Sequence, residues 1–250
     1  MKKWTIAIIL LLLSVSIVPA QDLTGPEILD KMMGVMNPEF SHAKMKQTII
    51  TTTGQTRTLE YESFSGQGGK NVIMRYLEPA RVRGNAMMMT DFSDNIWMYN
   101  KRTNRVRKLA SHARKQKFEG SDFTYEDMGS GDKWEEDYET VLKGTEKVEG
   151  TDCYVLEMTA KSDDETYQKL LCFVGQEDFC PRRIDYYEDP DILLKSLILS
   201  DIQIIRDIPT PMKMTMKNHL ESSETTMEYT NVTYDVEYPE SFFSEQNLVK

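Results

Sequence analysis

The sequence predicts a mainly β protein with a few helices, built as one antiparallel sheet in a single domain. Three observations carry this reading. Thirteen stretches with the length and residue types of strands follow one another, separated mostly by short turns rich in Gly, Pro, Asp and Asn. One segment near the N-terminus has a clear helical period. No linker, composition shift, internal repeat or low-complexity tract divides the chain after its first 20 residues.

Those first 20 residues read as a segment apart from the fold. Lys2 and Lys3 precede an apolar run from Ile6 to Leu13, and Val18-Pro19-Ala20 offers small residues at a cleavage site. This is the pattern of a secretory signal peptide, 1–20, leaving a single domain over 21–250. A membrane anchor fits less well, because the run is shorter than the ~20 residues a span needs. The expected location is the periplasm, with the protein soluble and monomeric. The formal charge of the whole chain is -10, and the mature chain keeps 28 basic against 40 acidic residues. That balance disfavours nucleic acid as a partner.

Pro26 to Met36 reads as the first helix, capped by Thr24, with Ile28, Met32, Met33 and Met36 on one apolar face. Strand candidates follow at 44–53, 57–64, 70–77, 85–90, 95–100 and 104–109. Residues 110–136 break the alternation and read as a long loop with one or two short helical turns. Strands resume at 138–148, 152–160, 166–174, 181–188, 192–205, 212–219 and 225–235, with Pro209–Pro211 read as a turn.

The strands differ in patterning. Met212, Met214 and Met216 alternate with Lys213, Thr215 and Lys217, as in a sheet with one wet face. Met87, Met88 and Met89, then Ile96, Trp97, Met98 and Tyr99, are apolar at every position, so those strands are covered on both faces. The helix and the 110–136 segment either plug the sheet completely or enclose a residual apolar cavity. The 16 methionines are many for 250 residues, and the flexible, polarisable thioether suits an adaptable apolar surface.

No metal-ligand spacing, nucleophile elbow or phosphate-binding loop is present, so no catalytic residue, metal or cofactor is expected. His42, His112 and His219 are read as surface or hydrogen-bonded residues. Cys153, Cys172 and Cys180 allow at most one disulfide in an oxidising compartment, or three buried thiols. In Gly120-Ser121-Asp122-Phe123-Thr124-Tyr125-Glu126-Asp127, small, acidic and aromatic residues alternate. The structural reading has Ser121 or Asp122 capping a short helix and Phe123 packing inward; the rival is acid–base chemistry by Asp122 and Glu126. Arg102, Arg105, Arg107 and Lys108 lead a basic cluster that meets a partner or anionic head groups, or is simply a solvated hairpin.

Three separated stretches, Trp97-Met98-Tyr99, Arg105-Val106-Arg107-Lys108-Leu109 and Phe118 to Asp127, resemble the outer membrane lipoprotein-sorting protein family, relatives of the lipoprotein carrier LolA. Asp152-Cys153-Tyr154-Val155-Leu156 and the Thr225–Tyr234 stretch leading to Phe242-Phe243-Ser244 agree with it. The resemblance implies a half-open, strongly curved antiparallel β-sheet, an incomplete barrel, with helices covering the concave face. In the carrier branch the apolar cavity between them holds acyl chains of a lipoprotein crossing the periplasm. It implies a non-catalytic carrier of acylated lipoprotein or lipid, working with an inner-membrane transporter. Met32, Met33, Met36 and the 87–89 and 96–99 residues would form its cavity. Gly120, Ser121, Asp122, Phe123, Tyr125, Glu126 and Asp127 mark the sorting-protein branch. The rival function is a sensor or interaction module of the same fold, reporting envelope lipids to an inner-membrane protein.

Overall fold

The structure is a computed structural model that describes residues 23–129 and 133–250; the expected signal peptide lies outside the described residues. Helix α1 spans Gly25–Met36. Thr24 and Glu27 form a capping box at its start, with Pro26 in the first turn. The Glu27 carboxyl sits below its usual range because it accepts the Thr24 backbone and side-chain hydrogen bonds. Ile28, Leu29, Met32 and Met33 are buried. Gly25 is required by close approach: a Cβ there would lie 2.8 Å from the Leu142 backbone nitrogen.

The strands are β1 Phe40–Ile50, β2 Thr56–Gly66, β3 Asn71–Glu78, β4 Ala86–Thr90, β5 Asn95–Asn100, β6 Arg105–Lys108, β7 Tyr138–Val148, β8 Thr151–Ala160, β9 Lys169–Gly175, β10 Pro181–Asp189, β11 Ile192–Ile205, β12 Ile208–Asn218 and β13 Ser223–Thr233. They form one 13-stranded sheet in the order β6-β5-β4-β3-β2-β1-β13-β12-β11-β10-β9-β8-β7, and all twelve neighbour pairs are antiparallel. The sheet curves without closing into a barrel, so β6 and β7 remain its edges. The chain therefore starts in the middle, meanders out to β6, and must cross to the opposite edge before meandering back. Residues 109–137 make that crossing, which is why they lack strand alternation. They contain 3-10 turns at Ser111–Lys115 and Phe118–Gly120 and end in the short helix α2, Trp134–Asp137.

Several strand boundaries shift by one to three residues from the sequence reading, and two strand starts shift by four. β1 begins at Phe40 rather than 44. β12 begins at Ile208, so Pro209 and Pro211 lie in a strand and the turn is Arg206-Asp207, both with positive φ. The prolines are tolerated because β13 pairs with β12 only from Lys213 onward. Opposite Ile202 and Ile204 they have β11 on one side and no strand on the other.

The main core fills the concave face, joining Ile28, Leu29 and Met32 of α1 to Met74, Met87, Met89, Leu156, Met158 and Met216 of the sheet. β4 is buried at Ala86, Met87, Met88 and Met89, as its double apolarity requires. Its outer face is covered by the C-terminal tail: Ile73, Ala86, Met88, Tyr99 and Leu248 form a second cluster with Phe64, Trp97, Val106, Phe242 and Phe243. Leu248 belongs to the short helix α3, Glu245–Leu248. No helix among the described residues is long and apolar enough to cross a membrane.

Candidate functional site

A cavity of about 270 Å³ remains in the concave face, between the end of α1, the crossing segment and the middle of the sheet. Its room is made by small residues. Ser41 pairs with Ser65, and Ala43 with Ser63, across β1 and β2. All four line the cavity. Large side chains at those inward positions would fill the space, as Gln47, Tyr61 and Leu59 do further along the same strands. The surrounding wall is soft: Met36, Met45, Met74, Met128, Met214 and Met227 line it, with Met214 directly opposite Met227.

The other wall is charged. Arg114, Glu126, Asp127, Lys133, Asp137 and Glu165 line the side formed by the crossing segment and the β8–β9 turn. Asp94 accepts from Arg114 at 2.5 Å and from Lys133 at 2.5 Å. Burial disfavours its ionised form, but Lys133 and Arg114 outweigh this and hold the carboxyl below its ordinary range. Asp137 and Glu165 go the other way. Burial lifts both; Asp137 and Glu126 lift Glu165 further, and Glu136 lifts Asp137.

Of the residues expected to form the cavity, Met36 lines it. Met32, Met33, Met87, Met89, Ile96 and Met98 instead pack in the main core, and Met88, Trp97 and Tyr99 belong to the outer cluster. Phe123, Glu126 and Asp127 of the Gly120–Asp127 motif do line it. The cavity residues that sequence reasoning missed include the small ones, the β1, β3, β12 and β13 methionines, and tyrosines such as Tyr138, Tyr186 and Tyr229. The small ones had a signal, Ser-x-Ala and Ser-x-Ser alternation on neighbouring strands at Ser41/Ala43 and Ser63/Ser65.

The motif holds the crossing segment to the sheet. Asp122 is 5% exposed. Its carboxylate accepts from the Ser223 hydroxyl and, at 2.7 Å, from the Thr225 hydroxyl of β13, while its backbone N–H donates to Thr225 Oγ1 at 3.0 Å. Neither Ser121 nor Asp122 caps a helix start, a correction to the sequence reading: Ser121 instead closes the 3-10 turn Phe118–Gly120, its N–H donating to the Phe118 carbonyl, and Asp122 takes β13 hydroxyls as partners. Phe123 does pack inward, 4% exposed. Asp127 accepts from the Thr124 backbone at 2.6 Å, from the Tyr167 hydroxyl at 2.9 Å and from Lys195. The Lys195–Asp127 pair is buried, with side chains 3% and 4% exposed. The Lys195 ammonium also faces the Tyr167 and Tyr186 rings. Burial first, and then Asp127, pushes both phenols well above their usual pKa. Glu126 accepts from Thr166 at 2.9 Å, and Tyr125 packs edge-on against Phe118. Gly120 has φ +70, a backbone state that favours glycine.

Cys153, Cys172 and Cys180 are buried free thiols, so of the two cysteine readings the structure shows the second. Burial raises all three, Cys180 to about 12. Ser196 Oγ lies 2.9 Å from His219 Nε2, but it donates to Asp185 at 2.6 Å. Asp185 therefore holds the serine rather than orienting the histidine, which is not the order of a nucleophile–base relay. No group of three or more His, Cys, Asp or Glu among the described residues is placed to hold a metal. Arg102, Arg105, Arg107 and Lys108 are exposed on the β5–β6 hairpin, with Lys108 over the Trp97 ring.

A family model described as "Uncharacterized protein" matches residues 68–250. No curated protein sequence matches the chain. Among solved structures, a DUF1329 family protein from Desulfovibrio piger is 27% identical, with 90% of this chain and 97% of that chain covered and a TM-score of 0.80. A domain described as an outer membrane lipoprotein-sorting protein, from Vibrio parahaemolyticus, is 22% identical over 90% of this chain and 98% of that one, TM-score 0.82. A LolA superfamily protein from Nitrosomonas europaea is 22% identical over 90% and 100%, TM-score 0.74. The half-open sheet expected from the sequence is thus the one these proteins share. The chain belongs to the family whose model matches residues 68–250, and its fold is that of the LolA-like lipoprotein-sorting proteins.

Proposed function

We propose that this protein is a periplasmic carrier that takes acyl chains of a lipoprotein or lipid into the concave cavity and hands them on without catalysis. The observation that carries this reading is the cavity itself: small residues leave room, six methionines line it, and charged groups stand along one side. A chain lying on the methionines gains about 0.8 kcal/mol per buried methylene without any specific contact. Thioethers adapt to a flexible chain better than branched side chains do. At about 270 Å³ the cavity lies just below the usual range of ligand sites, so it suits one slender chain with its polar end toward Arg114 and Lys133. The periplasmic location rests on the N-terminal export pattern and on fold neighbours described as lipoprotein-sorting proteins. The absence of catalysis rests on the occupation of Asp122 and Glu126, the two acid–base candidates, by hydrogen bonds from Thr225 and Thr166.

Mass spectrometry of protein isolated from its native envelope tests this, together with titration by a fluorescent fatty acid. A co-purifying acylated species and saturable displacement of the probe by it are expected. Protein that is consistently empty and does not bind the probe would sink the proposal.

A further inference from the structure

We propose that the protein docks on anionic lipid head groups through the end of the sheet where the β1–β2, β3–β4 and β5–β6 turns lie side by side. The chain as a whole is acidic, with 40 Asp+Glu against 30 Lys+Arg. This end is the reverse. Arg81, Lys101, Arg102, Arg105 and Arg107 are all exposed there, and none has an ion pair or side-chain hydrogen bond among the described residues. Elsewhere on the surface, cations such as Lys70, Arg114, Lys143 and Lys147 are paired with carboxylates. Of the carboxylates around the basic turns, Arg83 takes Glu78, the Tyr76 hydroxyl donates to Glu119, and Glu60 stands opposite Glu78 on β2. The neighbouring β1–β2 turn, residues 51–55, is uncharged.

The turns are built as one surface. The Lys101 backbone N–H donates to Asn85 Oδ1 at 3.0 Å, tying the β5–β6 turn to the β3–β4 loop. The Lys101 side chain lies across Gly84, where a Cβ would overlap it and where φ is +83. Five uncompensated cations held together repel one another, and an anionic surface relieves that repulsion. The choice of lipid over an acidic protein follows from what the end lacks. Its three turns, residues 51–55, 79–85 and 101–104, hold no aromatic anchor of the kind that concentrates protein–protein affinity. Its one large exposed apolar side chain is Ile50, 40% exposed. Diffuse charge on two turns and on the adjoining edge strand β6 suits a flat, diffuse polyanion. In this half of the sheet the cavity reaches Gly69 and Phe92, at the opposite ends of the same strands, so docking leaves it uncovered.

The test is co-sedimentation of the purified protein with vesicles of mixed phosphatidylglycerol and phosphatidylcholine, against phosphatidylcholine alone. Binding to the anionic vesicles is expected at about 0.1 M salt and loss of it at about 1 M, where the screening length falls from ~10 to ~3 Å. The triple variant R102E/R105E/R107E should bind at least tenfold more weakly. A control with the same charge change on other turns and edges, K143E/K147E/R206E, should retain more of the binding. Thermal melts of both variants verify that they fold. Equal binding to neutral vesicles, full binding by the first variant, or equal loss in the control overturns the proposal. Tighter binding to soluble polyglutamate than to vesicles also overturns it, and assigns the face to an acidic protein. The cavity's contents do not enter this test, so its failure leaves the carrier reading standing.

Discussion

Lys195 and Asp127 show how one pair of charges can hold a long connection in place. Lys195 sits on β11, and Asp127 lies in the crossing segment that Asp122 also ties to β13. Neither side chain reaches water, so removing one partner leaves an uncompensated buried charge. Asp127→Asn should cost about 3–5 kcal/mol in urea unfolding, whereas the apolar pair Asp127→Leu with Lys195→Met should recover most of that loss. Asp137 and Glu165 carry an opposite lesson. Their raised pKa values mean that the folded state holds their protons more firmly than the unfolded chain does. The stability tied to them is therefore present below the ordinary carboxylate range, at about pH 4, and is lost as pH rises through the raised values. The variant Asp137→Asn/Glu165→Gln escapes that loss. Its melting temperature should exceed the wild type's by a margin that widens from pH 4 to pH 7; a constant margin would contradict this. Asp94 acts in the other sense, its contribution being lost as pH falls. Repelling carboxylates on a cavity wall are a local cost of the kind expected where a site, rather than stability, sets the residue.

At the scale of elements, most of the architecture could be read from alternation and turns. Each of the thirteen strand stretches corresponds to an observed strand, and the helix begins within one residue of its expected start. The crossing segment was visible as a break in pattern because a chain spanning a face has no pleat to obey. Two elements resisted. β12 was cut short by its prolines, which a strand flanked by one partner accepts. The C-terminal tail gave no periodic signal, since Phe242, Phe243 and Leu248 approach the sheet from a turn and a four-residue helix. Yet the tail explains the double apolarity of β4, which sequence reasoning assigned to cover without identifying the cover. Leu248 is 1% exposed, and Arg75 donates to the Asn247 carbonyl at 2.9 Å beside it. Leu248→Ala should therefore cost about 2–5 kcal/mol in chemical denaturation, as for a core leucine. The exposed Leu220→Ala should stay within about 0.5 kcal/mol of wild type.

At the scale of the whole molecule, the cavity is a consequence of topology and side-chain size together. A 13-stranded sheet that curves without closing needs cover across its concave face, and the chain supplies two pieces, α1 and the crossing segment. Where they do not meet, the floor is Ser41, Ala43, Ser63 and Ser65 rather than large apolar residues. Sequence reasoning looked for the site among the bulkiest apolar runs, and those proved to be the packing of both faces. Four of the six methionines at the cavity, Met45, Met74, Met214 and Met227, stand on alternating strands, with Met36 on α1 and Met128 in the crossing segment, and none is in the Met87–Met89 run. If the gap exists to be filled by ligand, filling it with a side chain should separate stability from binding. Ser63→Phe places a ring in the gap from a rigid strand, so the empty variant should melt at or above the wild-type temperature. A fatty acid at about 100 times its dissociation constant should stabilise the wild type by about 2.7 kcal/mol and leave the variant's melting temperature unchanged. An equal ligand-induced shift in both would place the chain elsewhere on the molecule. A variant that simply melts lower would show that Ser63 is needed for packing rather than for room.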